Sequence, residues 1–317
     1  MNAPADSLSP RRFGRTELMV TPICIGGGPI GSMTETFGYD VPEAQALATV
    51  RAVLDGPINY LDTAAAYGDG ESERRIGLAL RERGGLPPGF VLATKADRNM
   101  QTGDFSGEQI KRSIERSQRL LGLDQLQLVF LHDPENASFE ELTAPGGAVD
   151  VLLDYKAQGI IQHLGVAGGP IDLMIRYLKT GAFESVLTHN RYTLLNRAAA
   201  PLIDLAVQHD LVVINAAPYN SGILAKGPQE YPRFVYHDAP AATIERAQRM
   251  ASICEQHGVP LAAAALQFSL RDQRITSTIV GVSRPERVAQ TIELARHPIP
   301  DALWPQLDAV GFDTADL

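Results

Sequence analysis

The chain has 317 residues, 44% of them hydrophobic and 21% charged, a globular balance with length for one large domain or two small ones. Its 37 acidic residues outnumber 28 basic ones, a net charge of −9, which argues against nucleic acid and anionic membranes, since both need a basic face. Two cysteines, Cys24 and Cys254, exclude a disulfide framework and a Cys-rich zinc site, and they read as free thiols of a reducing compartment.

Residues 1–10, rich in Pro and Ser, are expected to fray. They hold no apolar signal-peptide core, and no apolar run reaches the ~18 residues of a membrane span, so the expected location is cytoplasmic. Residues 12–16 and 18–20 fit a short hairpin. The first strand, 23–25, runs into Gly26-Gly27-Gly28-Pro29, which is either a tight turn or a place where a ligand approaches the backbone. The loop 31–41 carries Phe37 and Tyr39 as candidate substrate-facing aromatics, before a helix over 42–54. The next strand (Ile58, Tyr60, Leu61) ends on Asp62. A small-residue turn delivers Tyr67, and Gly68-Asp69-Gly70 opens a helix from Glu71.

The third strand, 90–94, ends on Lys95. Ser106 is placed to cap a helix that runs to Leu121 and stops at Gly122. The fourth strand, 126–132, ends on His132. Helix 148–158, strand 161–166 ending in Ala167-Gly168, helix 172–180 and strand 185–189 ending on His189 follow. Then come a helix near 199–209, strand 211–215, an excursion over 217–239, helices over 241–257 and 260–270, strand 278–280 and a helix from Glu286. The tail carries the only tryptophan, Trp304.

Short apolar strands alternating with helices define the parallel α/β class. Eight units in one chain without a linker-like shift of composition predict a single-domain (β/α)8 TIM barrel spanning 1–317. Three successive strands then bring Asp62 with Tyr67, Lys95 and His132 to one rim. A phenol of pKa ~10 is a poor acid. An adjacent ammonium lowers that pKa, a carboxylate fixes the ammonium, and a neutral histidine orients a substrate oxygen. The set suits proton transfer at an alcohol or carbonyl oxygen, with a cofactor carrying the hydride. Taken singly, the four read as a packing tyrosine, a rim lysine, a capping aspartate and a structural histidine. Their common place at consecutive strand ends favours chemistry. A metal centre is not expected, because no His-x-His pair ends a strand and His132 and His189 stand isolated.

These motifs resemble the aldo-keto reductase superfamily along the whole chain, from Phe13-Gly14-Arg15-Thr16 through Asp62-Thr63-Ala64-Ala65-Ala66-Tyr67-Gly68 and Leu131-His132-Asp133-Pro134 to the segment 283–291. The resemblance implies catalysis by Asp62, Tyr67, Lys95 and His132, with NAD or NADP stretched across the rim. Cofactor contacts are implied for Gly27, Asp62, Ala167, Gly168 and His189. They are also implied for Ala217, Tyr219, Asn220, Ser221, Gly222 and Leu224, and for Gly281, Val282, Ser283, Arg287, Gln290 and Thr291 after the last strand. Substrate contacts are implied for Phe37, Tyr39, Tyr67 and His132.

The chain departs from the family in four places. Ala167-Gly168 replaces a Ser-Asn pair, His189 a glutamine, Ala216 a stacking tyrosine and Gly281 a frequent lysine. Arg287 falls where the family faces the 2′-phosphate of NADP, so either nucleotide fits. These features resemble the bacterial branch that holds L-fucose and D-threo-aldose 1-dehydrogenases, with pyridoxal 4-dehydrogenase among its relatives. The branch implies oxidation of an aldose at C1 to a lactone, on a small polyhydroxy or aldehyde substrate. A pyridoxal dehydrogenase, a general aldehyde or ketone reductase and a non-catalytic nucleotide-binding barrel are the alternatives.

Overall fold

A computed structural model describes residues 8–317. Eight parallel strands close a barrel in sequence order: β1 (Ile23–Gly26), β2 (Tyr60–Asp62), β3 (Val91–Ala96), β4 (Leu126–His132), β5 (Ile161–Ala167), β6 (Ser185–His189), β7 (Val212–Ala216) and β8 (Ser277–Gly281), with β8 pairing back onto β1. Both faces of each strand are buried, which is why the strands read as nearly continuous apolar runs.

Alternation sorts those runs into two cores. Ile23, Ile25, Leu61, Leu92, Val129 and Leu131 face outward and pack with the helices. Cys24, Tyr60, Val91, Ala93, Leu128, Phe130, Leu187, Ile214 and Ile279 fill the barrel interior. A hairpin of Arg11–Arg12 against Met19–Val20 closes the lower end, bringing Phe13, Leu18 and Val20 into the interior core. There Phe13 meets Tyr60 edge-on, with ring centroids 6.5 Å apart.

The outer layer contains α1 (Glu43–Leu54), α2 (Glu71–Arg83), α3 (Gly107–Leu121), α4 (Ala148–Ala157), α5 (Ile171–Lys179), α6 (Ala200–Gln208), α7 (Ala241–Gln256), α8 (Leu261–Leu270), α9 (Pro285–Arg296) and α10 (Leu303–Val310). Local chemistry sets their ends. Ser106 Oγ accepts from the Gln109 amide, and Gly122 takes the left-handed conformation after α3 at φ 71°.

The frayed tail lies outside the described residues over 1–7, while Leu8 is buried. Strand β2 begins at Tyr60 rather than Ile58, because the Asn59 side chain is drawn to the carbonyls of Met19 and Gly89. The tail around Trp304 is the helix α10, which packs Trp304 and Leu307 near Met250 and Cys254.

Candidate active site

The inward-facing positions continue past the apolar interior. Two residues beyond Tyr60, Ala93, Phe130 and Leu187 come Asp62, Lys95, His132 and His189. On the other side of the barrel the same level holds Gly26, Ala216 and Gly281, while Ala167 on β5 stands between His132 and His189, and all eight residues line one cavity. The strand period of two thus produces a rim that is polar on one side and made of small residues on the other.

Lys95 Nζ, 1% exposed, donates to Asp62 Oδ2 at 2.6 Å, to the Thr63 carbonyl at 2.7 Å and to the Tyr67 hydroxyl at 3.1 Å. Its three protons are thereby placed. Tyr67 comes from the turn after β2, which is sewn to the next strand. Thr63 N donates to Ala93 O at 2.9 Å and Ala66 N to Asp97 Oδ2 at 2.8 Å. Gly68 ends that turn at φ 62°, where a Cβ would lie 2.0 Å from the Gly31 carbonyl oxygen, so a side chain has no room. His132 stands edge-on to Tyr67 with centroids 5.7 Å apart, and its Nδ1 lies 2.6 Å from Asp97 Oδ1. With Nδ1 serving Asp97, Nε2 is the nitrogen left for a ligand.

Burial and charge set the protonation states. Burial pushes the Tyr67 phenol above its ordinary pKa, and this outweighs the pull of Lys95. The expected net lowering by the ammonium is therefore reversed: Tyr67 is a protonated donor at neutral pH, with a cation beside it to receive the charge when the proton leaves. Burial works against the Lys95 cation too, yet Asp62 and Tyr67 hold its pKa above the usual range. His132 loses by burial but gains more from Asp133 and Asp97, so its pKa is raised. On His189 burial outweighs the pull of Asp133, and Arg191, His132 and Lys95 add to it. Its pKa falls to about 4, and Asn190 Nδ2 sits 3.2 Å from its Nδ1.

The cavity measures about 680 Å³ and extends from these groups over the small side of the rim to Ser283, Arg284, Arg287 and Gln290. That volume is ordinary for a ligand site. Two loops meet above it. The Tyr231 hydroxyl donates to the Phe37 carbonyl at 3.3 Å, and the Phe37 ring meets Tyr236 edge-on at 6.4 Å. A nicotinamide dinucleotide fits this cavity on three observations. Small residues leave room for a flat ring. Asp62 Oδ1 is buried without a hydrogen-bond partner and can accept from a ligand hydroxyl. Two guanidinium groups, Arg284 and Arg287, wait at the far end for phosphate.

Residues 22–311 match the family model described as Aldo/keto reductase family. The chain belongs to the aldo/keto reductase family. Among curated relatives of this aldo/keto reductase is D-threo-aldose 1-dehydrogenase from a Pseudomonas species, 31% identical, with 92% of this chain and 94% of the relative covered. Pyridoxal 4-dehydrogenase from Microbacterium luteolum is 30% identical over 95% and 97%. L-Galactose dehydrogenase from Arabidopsis thaliana is 28% identical over 97% and 91%. A solved aldo-keto reductase from Bacillus halodurans, in its holo form, superposes with a TM-score of 0.78 at 21% identity, covering 98% of both chains, and so shares the fold. The protein is thus an oxidoreductase working between CH–OH and carbonyl groups with NAD(P)(H), on small molecules of the aldehyde or sugar class.

Within this aldo/keto reductase, most of the expected cofactor residues line the cavity, and three do not. Gly27 lies behind the wall, where a Cβ would fall 2.8 Å from Ser72 Oγ and 2.9 Å from the Asp62 carbonyl, so it serves close packing. Asn220 is turned away to donate to the Asn190 carbonyl at 3.0 Å, bracing two loops. Leu224 is buried among Ile223, Met250 and Ala263. Of the expected substrate aromatics, Phe37 reaches Gly28 near Tyr67, and Tyr39 packs on Phe37 with ring centroids 6.0 Å apart while also neighbouring Ser283, Arg284 and Arg287.

Sequence reasoning missed Asp97, although it stands two residues after Lys95 on the same inward parity, which was the available signal. It also missed Asp133, Arg284 and the loop aromatics Tyr231 and Tyr236. Among the described residues no group of three or more His, Cys, Asp or Glu is placed to hold a metal ion, and no helix is long and apolar enough to cross a membrane.

Proposed function

We propose that this aldo/keto reductase is a cytoplasmic, single-domain NAD(P)-dependent dehydrogenase that oxidises an aldose of the L-fucose or D-threo-aldose type at C1 to the lactone. The observation that carries the reading is the 3.1 Å contact between the Tyr67 hydroxyl and Lys95 inside a cavity shared with Asp62 and His132. The relatives acting on D-threo-aldose and L-galactose support the sugar assignment. The pyridoxal relative, at nearly equal identity, supports pyridoxal as a second substrate reading.

When bound, NAD(P)+ supplies the acceptor for the hydride from C1. Tyr67 Oη takes the proton of the C1 hydroxyl as the C–O bond becomes a carbonyl, and in reverse it returns that proton to a carbonyl oxygen. Lys95 stabilises the phenolate, and Asp62 keeps the ammonium in place. His132 Nε2 holds the substrate oxygen at Tyr67, oriented through Asp97. Arg284 and Arg287 would hold the nucleotide phosphates.

The test is turnover of L-fucose, D-arabinose, L-galactose and pyridoxal with NAD+ and NADP+, in the wild type and in Tyr67→Phe. Aldose oxidation lost in Tyr67→Phe, with nucleotide binding retained, is the expected result. Pyridoxal turnover with silent sugars would overturn the substrate assignment, and activity indifferent to Tyr67→Phe would overturn the mechanism.

A further inference from the structure

One carboxylate in the cavity has no part in the chemistry above. Asp133 follows His132 and adopts the left-handed conformation, φ 44° and ψ 54°. That conformation is costly for a non-glycine residue and is disfavoured again by the following Pro134. The backbone is held in it. Asp133 N donates to the Ala167 carbonyl at 2.7 Å, while its own carbonyl accepts from Asn136 N at 3.1 Å and Asn136 Nδ2 at 2.8 Å.

The result is a carboxylate aimed into the cavity mouth with its side chain 42% exposed. Its ion-pair contact is His132 Nε2 at 3.6 Å, too long for a hydrogen bond, and no described residue donates to either oxygen. Asp97 is instead bonded to His132, and Asp62 to Lys95 through Oδ2, its free Oδ1 being fully buried. Burial works against the Asp133 charge, but His132, with His189, Lys95 and Arg98 beyond it, holds its pKa below the ordinary value, so it is ionised at neutral pH. The same cavity is lined by Tyr67, His132, His189, Tyr236 and the apolar loop residues Met100 and Phe37.

We propose that Asp133 is a specificity-determining residue. It accepts hydrogen bonds from hydroxyls next to the reacting carbon, selecting uncharged polyhydroxylated substrates and turning away those that carry a carboxylate or phosphate there. This rests on the dehydrogenase reading and deepens it by naming the substrate class. An ionised acceptor with spare lone pairs matches vicinal hydroxyls, which donate in pairs. An anion brought to the same place meets like charge in a partly desolvated site. The left-handed backbone fixes where the oxygens stand, so the selection depends little on side-chain freedom.

The experiment compares three small aldehydes in the reductive direction: glyceraldehyde, which carries two hydroxyls, propionaldehyde, which carries none, and succinic semialdehyde, which carries a carboxylate. The enzymes are the wild type, Asp133→Asn and Asp133→Gly. Both replacements tolerate the left-handed conformation, and NADPH titration checks that each variant retains a formed site.

The glyceraldehyde-to-propionaldehyde ratio of kcat/KM is expected to fall about tenfold or more in both variants, while the succinic semialdehyde-to-propionaldehyde ratio rises. Ratios that stay fixed, whether the three rates fall together or not at all, overturn the proposal and leave Asp133 acting only through His132. A wild type that reduces these aldehydes but oxidises no aldose overturns the aldose reading instead, while the ratios still decide the role of Asp133. A wild type silent on all three aldehydes overturns both.

Discussion

Glu73 on α2 is fully buried against β3, one residue away from the position that supplies Lys95. Thr94 Oγ1 donates to its Oε1 at 2.5 Å, and Oε2 has no hydrogen-bond partner. Burial pushes its pKa from 4.5 up to about 7, against the opposing pull of Thr94 and Ser117. The folded protein therefore keeps a proton that the unfolded chain gives up between those values. Stability is unaffected by this group below 4.5, declines as pH rises through the interval, and carries the whole penalty above about 7.

A displacement from 4.5 to about 7, at 1.36 kcal/mol per pH unit, is worth about 3 kcal/mol. Glu73→Gln keeps the shape of the protonated acid and cannot ionise. Urea unfolding at pH 5 and pH 8.5 should find the variant about 1–3 kcal/mol more stable relative to wild type at the higher pH than at the lower. A difference between variant and wild type that is the same at both pH values would refute the reasoning, since the proton would then play no part.

Lys95→Met leaves the Asp62 carboxylate buried without a partner and should cost about 3–5 kcal/mol in unfolding free energy. Adding Asp62→Asn in the same chain should restore most of it, and a double variant no more stable than the single one would contradict this. Gly77→Ala should destabilise by about 1–3 kcal/mol despite better helix propensity, because a Cβ there would lie 1.9 Å from the Leu120 carbonyl oxygen where α2 meets α3; urea midpoints decide it. Arg287→Leu should weaken NADPH about tenfold relative to NADH in fluorescence titration, and an unchanged ratio would place that guanidinium away from the 2′-phosphate. Because burial keeps Tyr67 protonated at neutral pH, kcat/KM for oxidation should climb with alkalinity as the phenolate forms, while that for reduction should not. Parallel profiles in the two directions would exclude Tyr67 as the shared proton carrier.

The barrel and the rim were legible because both are written in short-range pattern. Strands ending on Asp62, Lys95 and His132 needed only the alternation of side chains to face inward together, and Ser106 and Gly122 marked α3 by cap chemistry alone. What stayed hidden depends on distances across the fold. Asp97 shares the parity of Lys95, but nothing in the sequence says that it reaches His132. Tyr39 is two residues from Phe37 and packs on its ring, yet nothing in the sequence says that it also neighbours Ser283, Arg284 and Arg287 across the fold. The direction of the Tyr67 pKa was misjudged for the same reason: the neighbouring ammonium can be read from the motif, whereas the depth of burial that outweighs it cannot. The helix around Trp304 lacked a recognisable cap, and its cause lies in the apolar groove formed by α7 and its neighbours.

The hairpin at the foot of the barrel gives the enzyme a blind well rather than a pipe. Phe13, Leu18 and Val20 stop the bore below Tyr60 and Cys24, and Lys95, whose three donors are already committed, stops it from above. Below the Tyr67 hydroxyl the described interior is that largely apolar plug. A proton taken up from a substrate alcohol must therefore leave by the mouth, past His132 and beneath the bridge between Phe37 and Tyr231. Proton traffic and ligand traffic share one door, so whatever tightens the loops over a bound ligand also delays the resetting of the tyrosine for the next turnover.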